Sequence, residues 1–304
     1  MLWKTLRNRD QMKDFSTPPV LNDSVIGITV DQTFRYTWRD IALYNISVGA
    51  KPSDISYVYE KGIKVIPTFA VVPCTGVFGV EPPVEYPDMP YAHVEGLRTD
   101  GMIQMDHKLI IRKPLPAEGV FRIRKRLDAF YDRGPGRGTK IIATVTGFGE
   151  NGEEWFVNEV GVLNLWVDGF GGEPTPGAAF RMPSRDPDHR IDGSFPPNAA
   201  VLYRLTGDLN PIHVSTEAAA SAHMEQPVLQ GLCSMGNACR LIIDTLFPGE
   251  PERVRSMENQ FRAAVTPGEE YCLQIWEDGQ TAYYRMIAGN DGRSIIDYGK
   301  MTWE

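Results

Sequence analysis

The chain is short of positive charge: 31 Lys and Arg stand against 39 Asp and Glu, a net −8. Nucleic acids and anionic membrane surfaces are held by broad positive potential, so neither is expected as a partner. Long apolar runs are also missing. No stretch reaches the length of a membrane span, and the opening MLWKTLRNRDQMKDF has no apolar signal core. The final KMTWE is not an address of the Ser-Lys-Leu type, which leaves the cytoplasm as the expected compartment. Cysteine is scarce. Cys74, Cys233, Cys239 and Cys272 show neither metal-ligand spacing nor a disulfide framework, so buried thiols in a reducing compartment are expected. His93, His107, His189, His213 and His223 are scattered without zinc spacing, and no metal site is expected. Neither a GxxxxGK phosphate loop nor a GxSxG elbow occurs. Gly147-x-Gly149-x-x-Gly152 matches the dinucleotide fingerprint only as a string, because strand-like EEWFVNEVGV follows where a helix is required.

What is present is an ordinary globular composition, 42% hydrophobic and 23% charged over 304 residues, enough for one large domain or two small ones. Glycine and proline crowd residues 169–197 and break helix and strand alike, so a long connection is expected there. On either side the text has the same grammar. In the first half Thr37 and Asp40 predict the start of a short helix ending at Gly49, and another short helix or turn follows Pro67. From Met102 strands take over: MIQMDHKLIIRKPLP, VFRIRKRLDAFY, KIIATVTGFGE, an Asn151-Gly152 turn, then WFVNEVGVLNLWV. In the second half Leu232, Met235, Cys239, Ile242 and Leu246 recur at steps of three and four. They predict one apolar stripe on a helix from Gly231 to Leu246, with four strands after it. RKPLPAEGVF (112–121) and RAAVTPGEEY (262–271) echo each other. Strands that follow helices in a run, rather than alternating with them, favour an antiparallel α+β fold. The expected division is residues 20–168, a connection 169–197, and residues 198–304.

The chemistry concentrates in VLYRLTGDLNPIHVSTEAAASAH, where Asp208, Asn210 and His213 share one short loop stiffened by Pro211. A carboxyl and an imidazole there can converge on one water, one taking a proton and the other giving one. The alternative is a plain turn in which Asp208 caps backbone amides and His213 lies at the surface. Spacing alone leaves both open. Gly231, at the predicted helix start, can aim a backbone N–H at developing negative charge, or it can simply ease the chain into the helix. Arg133-Gly134-Pro135-Gly136-Arg137-Gly138 reads as a wide hairpin with solvated arginines, or as a contact for phosphates.

YRLTGDLNPIHVS resembles the signature of the MaoC-like, hydratase 2 group of (R)-specific enoyl-CoA hydratases. YTWRDIALYNISVGA, Tyr59-Glu60, IPTF (66–69), RKPLP, DGFGG (168–172) and QPVLQGLCSMG resemble family elements in the same order, leaving only about the first thirty residues outside. The resemblance implies a double hotdog, each half a long helix wrapped by an antiparallel sheet, with the catalytic loop in the second half only. It implies reversible syn hydration of trans-2-enoyl-CoA to (3R)-3-hydroxyacyl-CoA. Asp208 and His213 would then handle the water, Asn210 would position, and the Gly231 amide would polarise the thioester. Leu209, Pro211, Ile212 and Phe261 would lie beside the ligand, Arg133 at the coenzyme A, and Glu60 in a supporting place. No cofactor is implied beyond the coenzyme A of the substrate, and a homodimer is the family habit.

The pattern departs in two places. Gln230 stands where the family has His before the glycine, and Gln104-Met105-Asp106-His107 stand where it has His-Gly-Glu-Gln. Gln keeps donor and acceptor but does not titrate, and Met105 fills space a glycine leaves open. A reshaped acyl pocket around Gln104 and Met105 is expected, suited to a bulky or atypical chain. The competing reading is an acyl-CoA-binding hotdog subunit without catalysis.

Overall fold

A computed structural model describes residues 21–304 apart from 23, 76–87, 99–101 and 223. The N-terminal stretch, Gly76 and His223 therefore lie outside the described residues. Ten strands form one sheet: β1 (Thr29–Tyr36), β2 (Ile103–Ile111), β3 (Gly119–Asp132), β4 (Thr139–Phe148), β5 (Glu154–Asn164), β6 (His189–Ser194), β7 (Val254–Phe261), β8 (Glu270–Asp278), β9 (Thr281–Ala288) and β10 (Ser294–Trp303). The helices are α1 (Trp38–Ser47), α2 (Ile55–Val58), α3 (Val72–Thr75), α4 (Ala199–Arg204), α5 (Thr216–Ser221) and α6 (Gly231–Leu246). A 3-10 turn, Pro67–Val71, leads into α3, and another, Pro211–His213, precedes α5.

The strand order is β1-β3-β4-β5-β2-β7-β10-β9-β8-β6. Read outward from the centre, the first half runs β2, β5, β4, β3, β1 and the second runs β7, β10, β9, β8, β6. The two runs are the same path taken twice. The halves meet in one antiparallel ladder, from Asp106↔Gln260 to Ile110↔Ser256. An approximate two-fold axis through that ladder relates them. The repeat reaches single residues: Leu43-Tyr44 of α1 and Leu202-Tyr203 of α4 are counterparts, and the two tyrosine rings lie 5.9 Å apart. This is the antiparallel α+β double hotdog that the sequence resembles, with one correction: among the described residues only the second half has the expected long helix, and where α6 stands the first half has the 3-10 turn Pro67–Val71 and α3.

Local chemistry accounts for the elements. Thr37 Oγ1 accepts from Arg39 N–H, while the Thr37 N–H donates to Asp40 Oδ2 at 2.8 Å, a reciprocal cap that starts α1. Gly49, at φ +95°, lets the chain leave the helix in a conformation other residues resist. The Glu150–Gly152 turn joins β4 to β5, so the glycine string 147–152 is a hairpin as expected. The Arg133–Gly138 loop likewise joins β3 to β4.

Three expectations are corrected. The connection does not run unbroken from 169 to 197, because HRIDGS, free of proline, pairs with β8 as the edge strand β6. The second half therefore begins before the expected 198, because β6 already belongs to its run of strands. β1 escaped the sequence reading because only Phe34 and Tyr36, at its end, are fully buried apolar residues on its inner face. Finally, α6 carries more than one stripe. Ser234, Asn237 and Arg240 are buried with its apolar residues, since the sheet wraps the helix and neighbouring segments cover its remaining faces. The four cysteines are free thiols; all but Cys272 are fully buried.

Candidate active site

The loop after α4 is built by short-range hydrogen bonds. Pro211 holds Asn210 extended (φ −54°, ψ 120°), and Asn210 Oδ1 accepts from Ile212 N–H at 3.2 Å, an Asx turn that opens the 3-10 segment Pro211–His213. Asp208 Oδ1 accepts from Asn210 N–H. Ile212 and His213 are then tied to the strand-like segment before α6. Val228 N–H donates to the Ile212 carbonyl, and His213 Nδ1 lies 2.8 Å from the Val228 carbonyl. A carbonyl can only accept, so Nδ1 carries the proton and Nε2 presents a lone pair. That lone pair lies 3.8 Å from Asp208 Oδ2, too far for a direct bond and suited to a shared water. His213 is buried and Asp208 nearly so. Burial raises the Asp208 pKa above the ordinary carboxyl value, opposed by His213 and the Asn210 N–H.

Three residues beyond Val228, Gly231 begins α6. Its N–H is at the first helical position, where no intrahelical acceptor exists, and none of the described residues supplies another. A side chain here would press on Phe261, since a Cβ would come within 3.1 Å of that ring. Gln230, fully buried, donates from Nε2 to the Ala200 carbonyl and so fastens the start of α6 to α4.

Gln104 and Met105 stand just past Asp106↔Gln260, where the central ladder ends, on the same side as Phe261. An irregularity between Gln104 and Asp106 breaks the strand's alternation. The Gln104 side chain consequently meets that of His107: Gln104 Nε2 lies 2.9 Å from His107 Nδ1. His107 Nε2 in turn lies 2.8 Å from Asn158 Oδ1, and Asn158 Nδ2 donates to the Ala70 carbonyl. Followed back from that carbonyl, His107 is protonated on Nε2, the tautomer opposite to His213. Burial drives its pKa down to about 4.

A neutral buried imidazole gives a pH signature. The unfolded chain takes up the proton near pH 6.5 and the folded one only near 4, so stability falls as pH drops through that window. Urea midpoints measured from pH 7 to 4 are expected to show this slope, reduced in His107→Gln. An equal slope in both proteins would refute it.

Asp208, Asn210, His213, Gly231 and Phe261 thus form one neighbourhood, with Leu209 and Ile212 half-buried and Pro211 exposed at its edge. Arg133 lies on the β3–β4 loop, at the same end of the sheet as Gln104, with its guanidinium donating to the Arg137 carbonyl. Glu60 is exposed just after α2, in the first half's loop, and shares no hydrogen bond with the other five. Val228 was missed by sequence reading; a backbone acceptor leaves no side-chain signal.

The first half repeats this scaffold with different residues. Lys64 N–H donates to the Ser56 carbonyl as Val228 N–H does to Ile212. Counting from that shared bond, Pro52 takes the place of Asp208, Asp54 of Asn210, Tyr57 of His213 and Pro67 of Gly231. Ile111, just before the Arg112 echo, takes the place of Phe261. At the places of Asp208, His213 and Gly231 themselves, that copy has no carboxyl, no imidazole and no backbone N–H.

Two hotdog repeats sharing a seam, with the Asp208–His213 pair in one copy only, define the class. Two family models match in succession: the MFE-2 hydratase 2 N-terminal domain over residues 34–165 and the MaoC-like domain over 179–298. Among curated relatives, a Mycobacterium tuberculosis 3-hydroxyacyl-thioester dehydratase Y is 30% identical over 92% of this chain and 97% of its own length. The chain belongs to the MaoC-like hydratase 2 family. A probable enoyl-CoA hydratase 2 of Dictyostelium discoideum is 29% identical over 88% of the chain and 90% of that protein. The chain spans only 29% of a Neurospora crassa hydratase-dehydrogenase-epimerase, at 30% identity over 86% of this chain, and that relative is named peroxisomal rather than cytoplasmic. A MaoC-like dehydratase structure from Phytophthora capsici superposes with a TM-score of 0.80, at 24% identity over 93% of this chain and 99% of that one. A Mycobacterium tuberculosis protein described as a double hotdog matches at 0.55, at 13% identity over 91% and 96%.

Proposed function

We propose that this chain catalyses reversible hydration of a trans-2-enoyl-CoA to the (3R)-3-hydroxyacyl-CoA, with the chemistry confined to the second half. The observation that carries the reading is the His213 Nε2 lone pair facing Asp208 Oδ2 across 3.8 Å, beside the helix that begins at Gly231. In the hydration direction His213 Nε2 takes a proton from the water as its oxygen bonds to C3. Asp208, its pKa raised by burial, gives its proton to C2. The thioester oxygen gathers negative charge in between and accepts from the Gly231 N–H. Return of the proton from His213 to Asp208 resets the site, and the net change is one added water. Asn210 holds the loop in shape. Leu209, Pro211, Ile212 and Phe261 border the acyl group, and Arg133 meets coenzyme A phosphate. Glu60 is given no direct part.

Coenzyme A enters as part of the substrate, and the scheme draws on no metal or redox cofactor. Gln104, turned toward His107 and flanked by Met105, gives the acyl pocket a wall unlike the family's, so a bulky or atypical chain is the favoured substrate. A homodimer fits the exposed Val201 of α4 and Leu205, which follows its last residue. The test is loss of the conjugated enoyl absorbance of crotonyl-CoA and of bulkier enoyl-CoAs, with product configuration determined. Tight binding of every thioester without turnover of any would favour a binding subunit instead.

A further inference from the structure

We propose that the first half holds a second ligand site, a relic of the cleft beside Gly231, which binds an aliphatic acyl chain and performs no chemistry on it. The ligand class rests on the hydration reading; the site itself does not.

A cavity of about 230 Å³ lies at the end of the central ladder opposite Phe261. Ile63, Val65, Pro67, Ile111, Leu115 and Val254 are among the residues that line it. The two-fold relation gives it meaning. Pro67 and Ile111 are the counterparts of Gly231 and Phe261, and Val65 and Leu115 those of Leu229 and Val265. In the second half the Leu229 N–H bonds to the Val265 carbonyl at 2.7 Å. In the first half the corresponding pair stands along the cavity wall.

The residues left in this copy select an apolar guest. Its walls are aliphatic side chains and prolines, Pro114, Pro116 and Pro251 joining Pro67, and fixed proline φ angles keep such walls from collapsing. The volume is below that of sites for drug-sized ligands, so the guest is an alkyl segment rather than a whole acyl-CoA. Lys64 and Glu252 border the cavity, where the polar end of the guest would leave it. The copy cannot hydrate what it holds. Pro67 has no N–H, and Tyr57 and Pro52 replace base and acid. An acyl chain reaches such a cavity as a free fatty acid or as a thioester, and binding distinguishes the two.

Calorimetric titration of the intact protein with octanoate and with octanoyl-CoA, neither of which can be hydrated, tests the site. Two molecules of at least one probe are expected per chain. Leu115→Trp, which fills the cavity, should remove one of them and change crotonyl-CoA hydration less than two-fold. Val254→Phe fills it from the other wall and serves if the first variant does not fold. A second site seen with octanoate alone identifies the free acid as the guest; one seen with octanoyl-CoA shows that the thioester is admitted. A single molecule of each probe per wild-type chain, or a second site that survives both fillings, overturns the proposal and leaves the hydration reading untouched. Conversely, absent turnover alongside a second site that Leu115→Trp abolishes would defeat hydration alone.

Discussion

Asp208→Asn is expected to lower kcat for enoyl-CoA hydration by about 100- to 10,000-fold, the usual contribution of a positioned acid or base. The substitution keeps the side chain's shape and its acceptor for the Asn210 N–H, so the loop should survive. What it removes is the transferable proton. His213→Gln should fall in the same range, because Gln can still donate to the Val228 carbonyl but offers no comparable base. The double variant should be little worse than either single one, since the two groups act on one water and their effects do not add. Steady-state kinetics with circular dichroism as a folding control measure all three. Activity of Asp208→Asn within ten-fold of wild type would remove Asp208 from the mechanism.

Gly231→Pro should lower kcat by about 100- to 1,000-fold, the typical cost of one lost oxyanion donor. The first half already shows that proline is accepted at this point of the scaffold, as Pro67 begins its 3-10 turn. Proline also suits the first helical position, where its missing N–H has no intrahelical partner to lose. Its demand that the preceding residue be extended is met, with Gln230 at φ −61° and ψ 134°. Gly231→Ala separates the two consequences of a side chain. It keeps the N–H but sets a Cβ 3.1 Å from the Phe261 ring, so any loss it shares with the proline variant is steric. If alanine and proline variants are equally impaired, the N–H does not carry the effect.

Much of this arrangement was legible in the sequence. The Asp208–His213 loop, the Gly231 start of α6 and the strand pair around Gly152 were found because each has a local cause: a proline, a helix period, a tight turn. β6 was hidden because glycine and proline around it dominate the text, although HRIDGS itself contains no proline. β1 was hidden because only Phe34 and Tyr36, at its end, are fully buried, while Asp31, Gln32 and Thr33 make its middle polar. The relation between Gly231 and Pro67 is more instructive. Residue types at those positions share nothing, and only the matching hydrogen bonds Lys64–Ser56 and Val228–Ile212 align them. The partner of Gln104 was also beyond reach, because a bulge at the next residue, Met105, decides which way that side chain faces.

The seam between β2 and β7 has a consequence for what such a molecule can become. In a symmetric dimer every substitution is made twice, so a change that closes one cleft closes both. Here the two copies are bound covalently and across a shared ladder, and each can change alone. Proline could settle at position 67 while glycine stayed at 231, and one copy could exchange proton chemistry for apolar walls without loss of the particle's activity. Asymmetry of that kind is open only to a chain that carries its own partner.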